Sequence, residues 1–368
     1  MNRIDRIAII GVGLLGASLG LACKRFTSVT EIVGYDQNKD HLKEALEIGA
    51  IDGIIDNLEN NSLLGEVDLV VLATPISVIP DILNKIQKQV RPGTIITDVG
   101  STKGWLMEKI NNQLRSDITY IPGHPMTGSE VSGPGGADAY LFENAVYVLT
   151  PLEPTPEDRQ QALVELLEEI GAKLLFMSPA EHDRIVAAVS HLPHVMACTL
   201  VEAVGQAARD DDHVFSLAAG GFKDTTRIAA GSPRMWTDIC LSNSEEILEM
   251  IRTFKGELAE FERVLAANKG EELFNRFKQT QALRQEIPEK KRGLIASTYE
   301  LVVTIPDQPK AIGKVTSLLG EAGINISDIE LLQVRESGGT LRLAFADGEA
   351  LKLAEDLLRE AGYKLKVK

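Results

Sequence analysis

His124 lies in Ile121-Pro122-Gly123-His124-Pro125-Met126-Thr127-Gly128, directly after an apolar run and between a permissive glycine and a rigid proline, a constrained loop rather than a casual linker. An imidazole titrates near neutrality, so a histidine held there can take a proton from a hydroxyl while a hydride leaves the same carbon. Alone, a loop histidine is more often structural than catalytic, and other polar stretches must decide. Asp98-Val99-Gly100-Ser101-Thr102-Lys103 offers Ser101 and Lys103 as substrate contacts, or Ser101 as the cap of a helix from Gly104 to Leu114. In Ser190-His191-Leu192-Pro193-His194, Ser190 and His194 stand one helical turn apart, around a proline that should kink the helix. His191 and His194 lack a clear third metal ligand, so no metal is expected; one of them should be buried, and His194 should face the cleft. Between Gly220 and Ala229, Arg227 supplies a planar fork suited to a carboxylate, or else pairs with Asp224 three residues earlier. Trp236 reads as core or as a wall of the site.

These side chains need a scaffold that delivers a cofactor. Ile7-Ala8-Ile9-Ile10 is a buried-strand pattern running into Gly11-Val12-Gly13-Leu14-Leu15-Gly16 and a helical Ala17 to Arg25. Gly11 permits the tight turn, Gly13 lets backbone approach a pyrophosphate, Gly16 lets the helix pack on the strand, and Leu14 and Leu15 belong to the same cofactor-binding turn. A second strand, Glu31 to Tyr35, ends at Asp36, placed to bind the ribose hydroxyls of NAD and to repel a 2′-phosphate; Gln37 and Asn38 add no cation. Helices at Lys39 to Ile48 and Val78 to Gln89 alternate with strands at Asp68 to Ala73 and Thr94 to Asp98. Tyr147 to Thr150 and Leu174 to Met177 add strands around a helix from Pro156 to Ile170. The expectation over residues 1–177 is a doubly wound parallel sheet, a Rossmann domain, with Thr74-Pro75, Ser101 and His124 near the carboxyl ends of its strands.

Ser178-Pro179-Ala180-Glu181 is a helix start, and residues 178–292 read as an all-helical substrate domain. After Asn243 and Glu246, the residues Ile247, Ile251, Phe254, Leu258, Phe261 and Leu265 follow heptad spacing, the stripe of a bundle core or of a subunit interface, and a homodimer is expected. Pro288 to Gly293 is a charged link. Residues 297–368 then alternate as strand, helix, strand, strand, helix, strand: Tyr299 to Ile305, Lys310 to Ala322, Ile324 to Val334, Leu341 to Phe345, Ala350 to Ala361 and Tyr363 to Val367. That is a ferredoxin-like split pair without a catalytic cluster, a sensor or assembly module.

Composition removes other classes. A chain of 368 residues with 44% hydrophobic content can bury two or three cores, and a formal charge of -15 disfavours nucleic acid or an anionic membrane as partner. Cys23, Cys198 and Cys240 are too few for a disulfide framework, and a reducing cytoplasm is expected. Leu19 to Cys23 could pass for a lipoprotein processing site, but the same run is the strand and glycine helix of the first domain. No other segment is expected to be long and apolar enough to span a bilayer.

Gly11 to Gly16 with Asp36, Asp98 to Lys103, Gly123 to Gly128, Ser190 to His194 and Phe222 to Ala229 together resemble the prephenate dehydrogenase family, in order and over essentially the whole chain. Pro306 to Pro309 and Gly323 to Ile326 resemble the ligand loop and the helix-to-strand turn of an ACT domain. The resemblance implies NAD-dependent oxidative decarboxylation of prephenate, a cyclohexadienol with a ring carboxylate and a pyruvyl side chain. Its 4-hydroxyl carbon gives a hydride to the nicotinamide while His124 accepts the hydroxyl proton. The ketone that develops draws electrons from the ring carboxylate, carbon dioxide leaves, and 4-hydroxyphenylpyruvate forms with NADH, a step of tyrosine biosynthesis. By the same resemblance Ser101 orients His124 or the hydroxyl, Arg227 holds a carboxylate, His194 and Ser190 meet the side chain with Trp236 nearby, Asp224 positions neighbouring groups, and the ACT domain takes tyrosine as a feedback effector. Three rivals remain open: an arogenate dehydrogenase, a β-hydroxyacid dehydrogenase that normally relies on a helical lysine, and a non-catalytic nicotinamide sensor.

Overall fold

The computed structural model describes residues 3–110, 113–128, 131–151, 155–209, 211, 213–287, 299–335 and 338–367. The chain divides into two units, Met1–Phe274 and Asn275–Lys368. In the first unit, Ile7 to Ile10 are fully buried, as a central strand covered on both faces must be. That strand is β1 (Arg6–Ile10); after it come α1 (Leu14–Phe26), β2 (Glu31–Tyr35), α2 (Lys39–Glu47), β3 (Gly53–Ile54), β4 (Leu69–Leu72), α3 (Ile79–Ile86), β5 (Ile95–Asp98), α4 (Gly104–Ile110) and β6 (Thr119–Ile121). The six strands are parallel in the order β3-β2-β1-β4-β5-β6. The order reverses at β1 and β4, so the ligand crevice lies beyond their carboxyl ends, where Gly11 and Thr74 stand. Alternate residues feed two apolar layers, Ile7, Ile9 and Val71 on one face and Ile10, Leu72 and Ile96 on the other. Cys23 is buried on α1, where burial pushes its thiol up to about 12.

His124 is on a strand, not in the expected loop. β7 (Gly123–Pro125) runs antiparallel to β8 (Val146–Leu149), with His124 opposite Val148, and β8 pairs in parallel with β9 (Lys173–Phe176) beyond α5 (Glu157–Glu169). These three strands make a second small sheet rather than joining the first. A three-residue Gly-His-Pro strand carries neither alternation nor β-branched residues to announce itself. A Cβ on Gly123 would lie 2.7 Å from the Tyr147 ring and 2.9 Å from the Asp98 carbonyl oxygen, so only glycine lets β7 sit this close to β5.

Ser178 caps α6 (Pro179–Val186), its Oγ accepting the Glu181 N–H at 3.2 Å. The kink expected at Pro193 is realised as a π turn, Ala187–His191, inserted before α7 (Leu192–Ala207). Proline has no N–H to close a regular turn, and the wider turn accommodates the lost bond. The whole run Pro179–Ala207 is long and apolar enough by composition to cross a membrane, which corrects the sequence expectation that no such further segment exists. Its buried face carries His182, Asp183, His191 and His194, a polar load that belongs in a protein interior with partners rather than against lipid.

α8 (His213–Ser216), α9 (Gly220–Thr226), α10 (Pro233–Ser242), α11 (Ser244–Ala266) and α12 (Gly270–Glu286) follow. Along α11 the heptad stripe begins buried at Ile247 and ends open, with Leu258 58% and Leu265 61% exposed. The stripe is therefore only partly core within one chain. The expected link at Pro288 to Gly293, and with it the expected domain limits at 292 and 297, lies outside the described residues.

The second unit contains β10 (Tyr299–Ile305), α13 (Ala311–Glu321), β11 (Asp328–Arg335), β12 (Gly338–Phe345), α14 (Gly348–Glu360) and β13 (Lys364–Val367). Its sheet is antiparallel in the order β11-β12-β10-β13, with Leu301, Val303, Leu319, Leu343, Phe345 and Leu358 in the core. β11 begins four residues later than the sequence suggests. Gly323 turns the chain at φ +72°, and Ile324 is drawn into the core before the strand starts.

Candidate active site

The cofactor half is built from backbone. Gly11 has φ +98° and its N–H donates to the Tyr35 carbonyl at 2.7 Å; a Cβ there would meet the Ala73 carbonyl oxygen at 2.5 Å. A Cβ on Gly16 would lie 2.0 Å from the Gly11 carbonyl oxygen, whereas Gly13 faces open space. The open first turn of α1, with Leu14 and Leu15 half-buried behind Gly13, suits a pyrophosphate. Asp36 Oδ2 accepts the Val12 N–H at 3.0 Å and Oδ1 the Asn38 N–H at 2.8 Å, which aims the carboxylate at the same turn. Thr74 Oγ1 is buried without a partner among the described residues and Pro75 is exposed, both at the end of β4. A buried hydroxyl beside this glycine turn fits a dinucleotide. In this half the sequence reading passed over His41, whose Nδ1 lies 3.6 Å from Asp36 Oδ2, so an imidazole does stand beside the carboxylate.

The reacting half rests on a buried ion cluster. Lys103 and Asp98 are both fully buried, with Lys103 Nζ donating to Asp98 Oδ1 at 2.5 Å and to the Gly123 carbonyl at 2.6 Å. Tyr120 donates its hydroxyl to Asp98 Oδ2 at 2.7 Å. Lys103 is therefore a structural cation, not the expected substrate contact, and it holds the residue just before His124.

Above it, His124 Nδ1 and His182 Nε2 are 2.8 Å apart, and His182 Nδ1 is 2.8 Å from Asp183 Oδ1. The same Asp183 carboxylate accepts the N–H groups of Lys103, at 2.8 Å, and Gly104, at 2.7 Å. The cap of α4 thus comes from another helix, 80 residues along the chain, and not from Ser101. Ser101 is half-buried and, among the described residues, makes no hydrogen bond to His124. Asn243 Nδ2 donates to the Asp183 carbonyl at 2.8 Å and lies 3.2 Å from His191 Nδ1. Burial first, then the fields of His182, Lys103 and His191, hold His124 well below the ordinary imidazole range. Burial likewise takes His191 to about 4 and pushes His194 down. His124, 9% exposed, is consequently a neutral base at pH 7.

His194 is buried and stacks on Trp236, with ring centroids 3.5 Å apart and planes 10° from parallel; its Nδ1 has no partner among the described residues. His191 Nδ1 lies against the Asn243 amide, whereas His194 lies flat on the Trp236 indole. Ser190 sits half-buried in the π turn. Arg227 and Asp224 are exposed, Asp224 on α9 and Arg227 just after it, and among the described residues no ion pair joins them. Sequence reasoning missed His182, Asp183 and the part played by Asn243. The available signal was an adjacent His-Asp pair in the helix that leads into the apolar run from Ile185 to Ala207.

Three family models match in succession: the nucleotide-binding domain of prephenate dehydrogenase over residues 19–176, its dimerization domain over 178–279, and an ACT domain over 299–361. The prephenate dehydrogenase of Bacillus subtilis is 35% identical over 361 residues, covering 97% of both chains. The crystal structure of the Aquifex aeolicus prephenate dehydrogenase in complex with hydroxyphenyl propionate and NAD+ aligns with a TM-score of 0.73 at 31% identity, over 78% of this chain and 99% of that one. The arogenate dehydrogenase of Synechocystis aligns with a TM-score of 0.65 at 32% identity, over 77% of this chain and all of its own.

Proposed function

The chain belongs to the prephenate dehydrogenase family, and on that premise we propose that it carries out the NAD-dependent oxidative decarboxylation of prephenate to 4-hydroxyphenylpyruvate, with His124 as the base. The observation that carries this reading is a neutral, buried imidazole held beside the strand ends that receive a dinucleotide. NAD, when bound along Gly11 to Gly16 and Asp36, supplies the hydride acceptor. His124 takes the proton of the 4-hydroxyl, Arg227 holds a carboxylate of the substrate, and the apolar walls around His194 and Trp236 exclude water. Ser101 and Ser190 offer hydroxyls to the substrate, and Asp224 orders the groups around Arg227. The reading is tested by following NADH absorbance with NAD and prephenate, with arogenate and NADP in parallel. Growth with prephenate and NAD supports it, and a preference for arogenate would reassign the side-chain pocket.

Two further assignments complete the reading. The chain acts as a homodimer in the cytoplasm, paired through the helical domain, where Leu241, Leu258 and Leu265 are 58% to 70% exposed. The ACT unit takes tyrosine in a cavity of about 230 Å³ lined by Pro306, Asp307, Gln308, Lys310 and Leu331, where Lys310 and Asp307 can meet the carboxylate and the ammonium of an amino acid. Light scattering measures the first assignment. For the second, tyrosine should inhibit the full chain but not a chain ended before Thr298; inhibition absent from both excludes that ligand.

A further inference from the structure

We propose that His182 and Asp183 are positioning residues of this reaction, a two-step hydrogen-bond relay that locks His124 with Nδ1 protonated and Nε2 bare, so that Nε2 is the atom that takes the substrate proton. The inference rests on the reading of His124 as the base. Its logic is donor accounting. Asp183 Oδ1 and Oδ2 already accept the N–H groups of Lys103 and Gly104, and a carboxylate has no hydrogen to give. The 2.8 Å contact with His182 Nδ1 must therefore be an N–H of His182. With that one proton on His182 its Nε2 is bare, and the relay assigns the 2.8 Å contact to the N–H of His124 Nδ1. One proton remains on each ring, and Nε2 of His124 is left as a lone pair with no hydrogen-bond partner among the described residues.

The relay is rigid by construction. Asp183 is tied at both oxygens to the start of α4, Asn243 holds its carbonyl, and Lys103, which opens that helix, also holds the carbonyl of Gly123. In the reaction the substrate O–H bond breaks and an Nε2–H bond forms. The freed pair becomes the second bond of the ketone as the hydride leaves the same carbon for NAD. The imidazolium so formed keeps Nδ1–H on His182, with the Asp183 carboxylate behind it to offset the new charge.

Two measurements on the full-length chain decide the matter. With ring-15N histidine, a long-range 15N–1H spectrum of the parent protein reports the His124 tautomer, assigned by the signal that His124→Asn removes. A bare Nε2 supports the relay, and a bare Nδ1 overturns it. Kinetically, His182→Gln retains an acceptor near Nε2, whereas His182→Leu fills the space without one. The relay requires the kcat of His182→Leu to fall about a hundredfold, and that of His182→Gln to stay at least about tenfold above it, with KM for prephenate steady in both. Equal kcat for the two variants, or both close to the parent, would leave His182 with a packing role only. If the parent makes no NADH from prephenate, the functional reading fails, while the tautomer remains independently measurable.

Discussion

Two buried polar clusters touch one another in this protein and are built on opposite terms. Asp98, Lys103 and Tyr120 form a charged cluster in which carboxylate, ammonium and phenol are matched by short hydrogen bonds. His124, His182, His191 and His194 form a cluster of imidazoles, three of which burial holds toward the neutral state. In the first, both Asp98 oxygens accept hydrogen bonds, and Lys103, fully buried, directs two of its three N–H groups to Asp98 and Gly123. The second keeps one end unfinished at His124, and the partnerless His194 Nδ1 is a second open position. A finished ion cluster can be a foundation, and an unfinished neutral one can do chemistry.

Removing the working end of the neutral cluster should have the largest effect. His124→Asn is expected to lower kcat by about a hundred- to ten-thousandfold with NAD and prephenate binding retained, as measured by steady-state kinetics and calorimetry. Turnover within a few fold of the parent would sink the assignment. Breaking the charged cluster should show in stability instead. Asp98→Asn leaves Lys103 buried without its counter-charge, and a loss of about 3–5 kcal/mol is expected in denaturant unfolding. A loss under about 1 kcal/mol would mean that water reaches the pair and that the cluster is no foundation.

The two halves of the site were unequally legible in the sequence. The cofactor half was readable because it is local: the strand, the turn, the helix and Asp36 span about thirty consecutive residues, and each glycine has a steric reason that needs no distant partner. The second unit was readable likewise, as alternating short elements. The reacting half was readable only at His124. Its partner is 58 residues away, and the cap of α4 arrives from 80 residues away, separations that periodicity and capping rules do not reach. Pro193 announced a disturbance, but whether a helix answers proline by bending or by inserting a π turn depends on packing.

The neutral cluster should make stability depend on pH in a stated direction. Burial lowers His191 to about 4 in the folded chain, against an ordinary value near 6.5, with Asp183 opposing and His182 and His194 adding to the fall. Between those values the unfolded chain holds a proton that the folded chain refuses. The share of stability linked to His191 is therefore full above about pH 6.5 and declines as pH falls toward 4, by at most about 1.4 kcal/mol for each unit. Thermal unfolding across that window should show the decline, and His191→Gln should make it shallower by that one group's share, with the part due to His124 and His194 remaining. A parent curve that is flat from pH 7 to 4 would mean that water reaches these rings.

The smallest expected effect tests whether the two clusters communicate. The Lys103 charge helps to hold His124 down, after burial and His182. Lys103→Met alone would strand Asp98, so the informative variant is Asp98→Asn with Lys103→Met, which removes both charges together and leaves Tyr120 an amide oxygen to meet. Without the nearby cation, protonated His124 becomes easier to form. The acid limb of kcat/KM should then move to higher pH, by about one unit or less, because burial remains the main cause. Activity near pH 8, per folded molecule, should change much less than activity below pH 6.5. A limb that stays where it was would show that the ammonium, matched at 2.5 Å by Asp98, is electrically silent toward His124 and serves only to hold Gly123 in place.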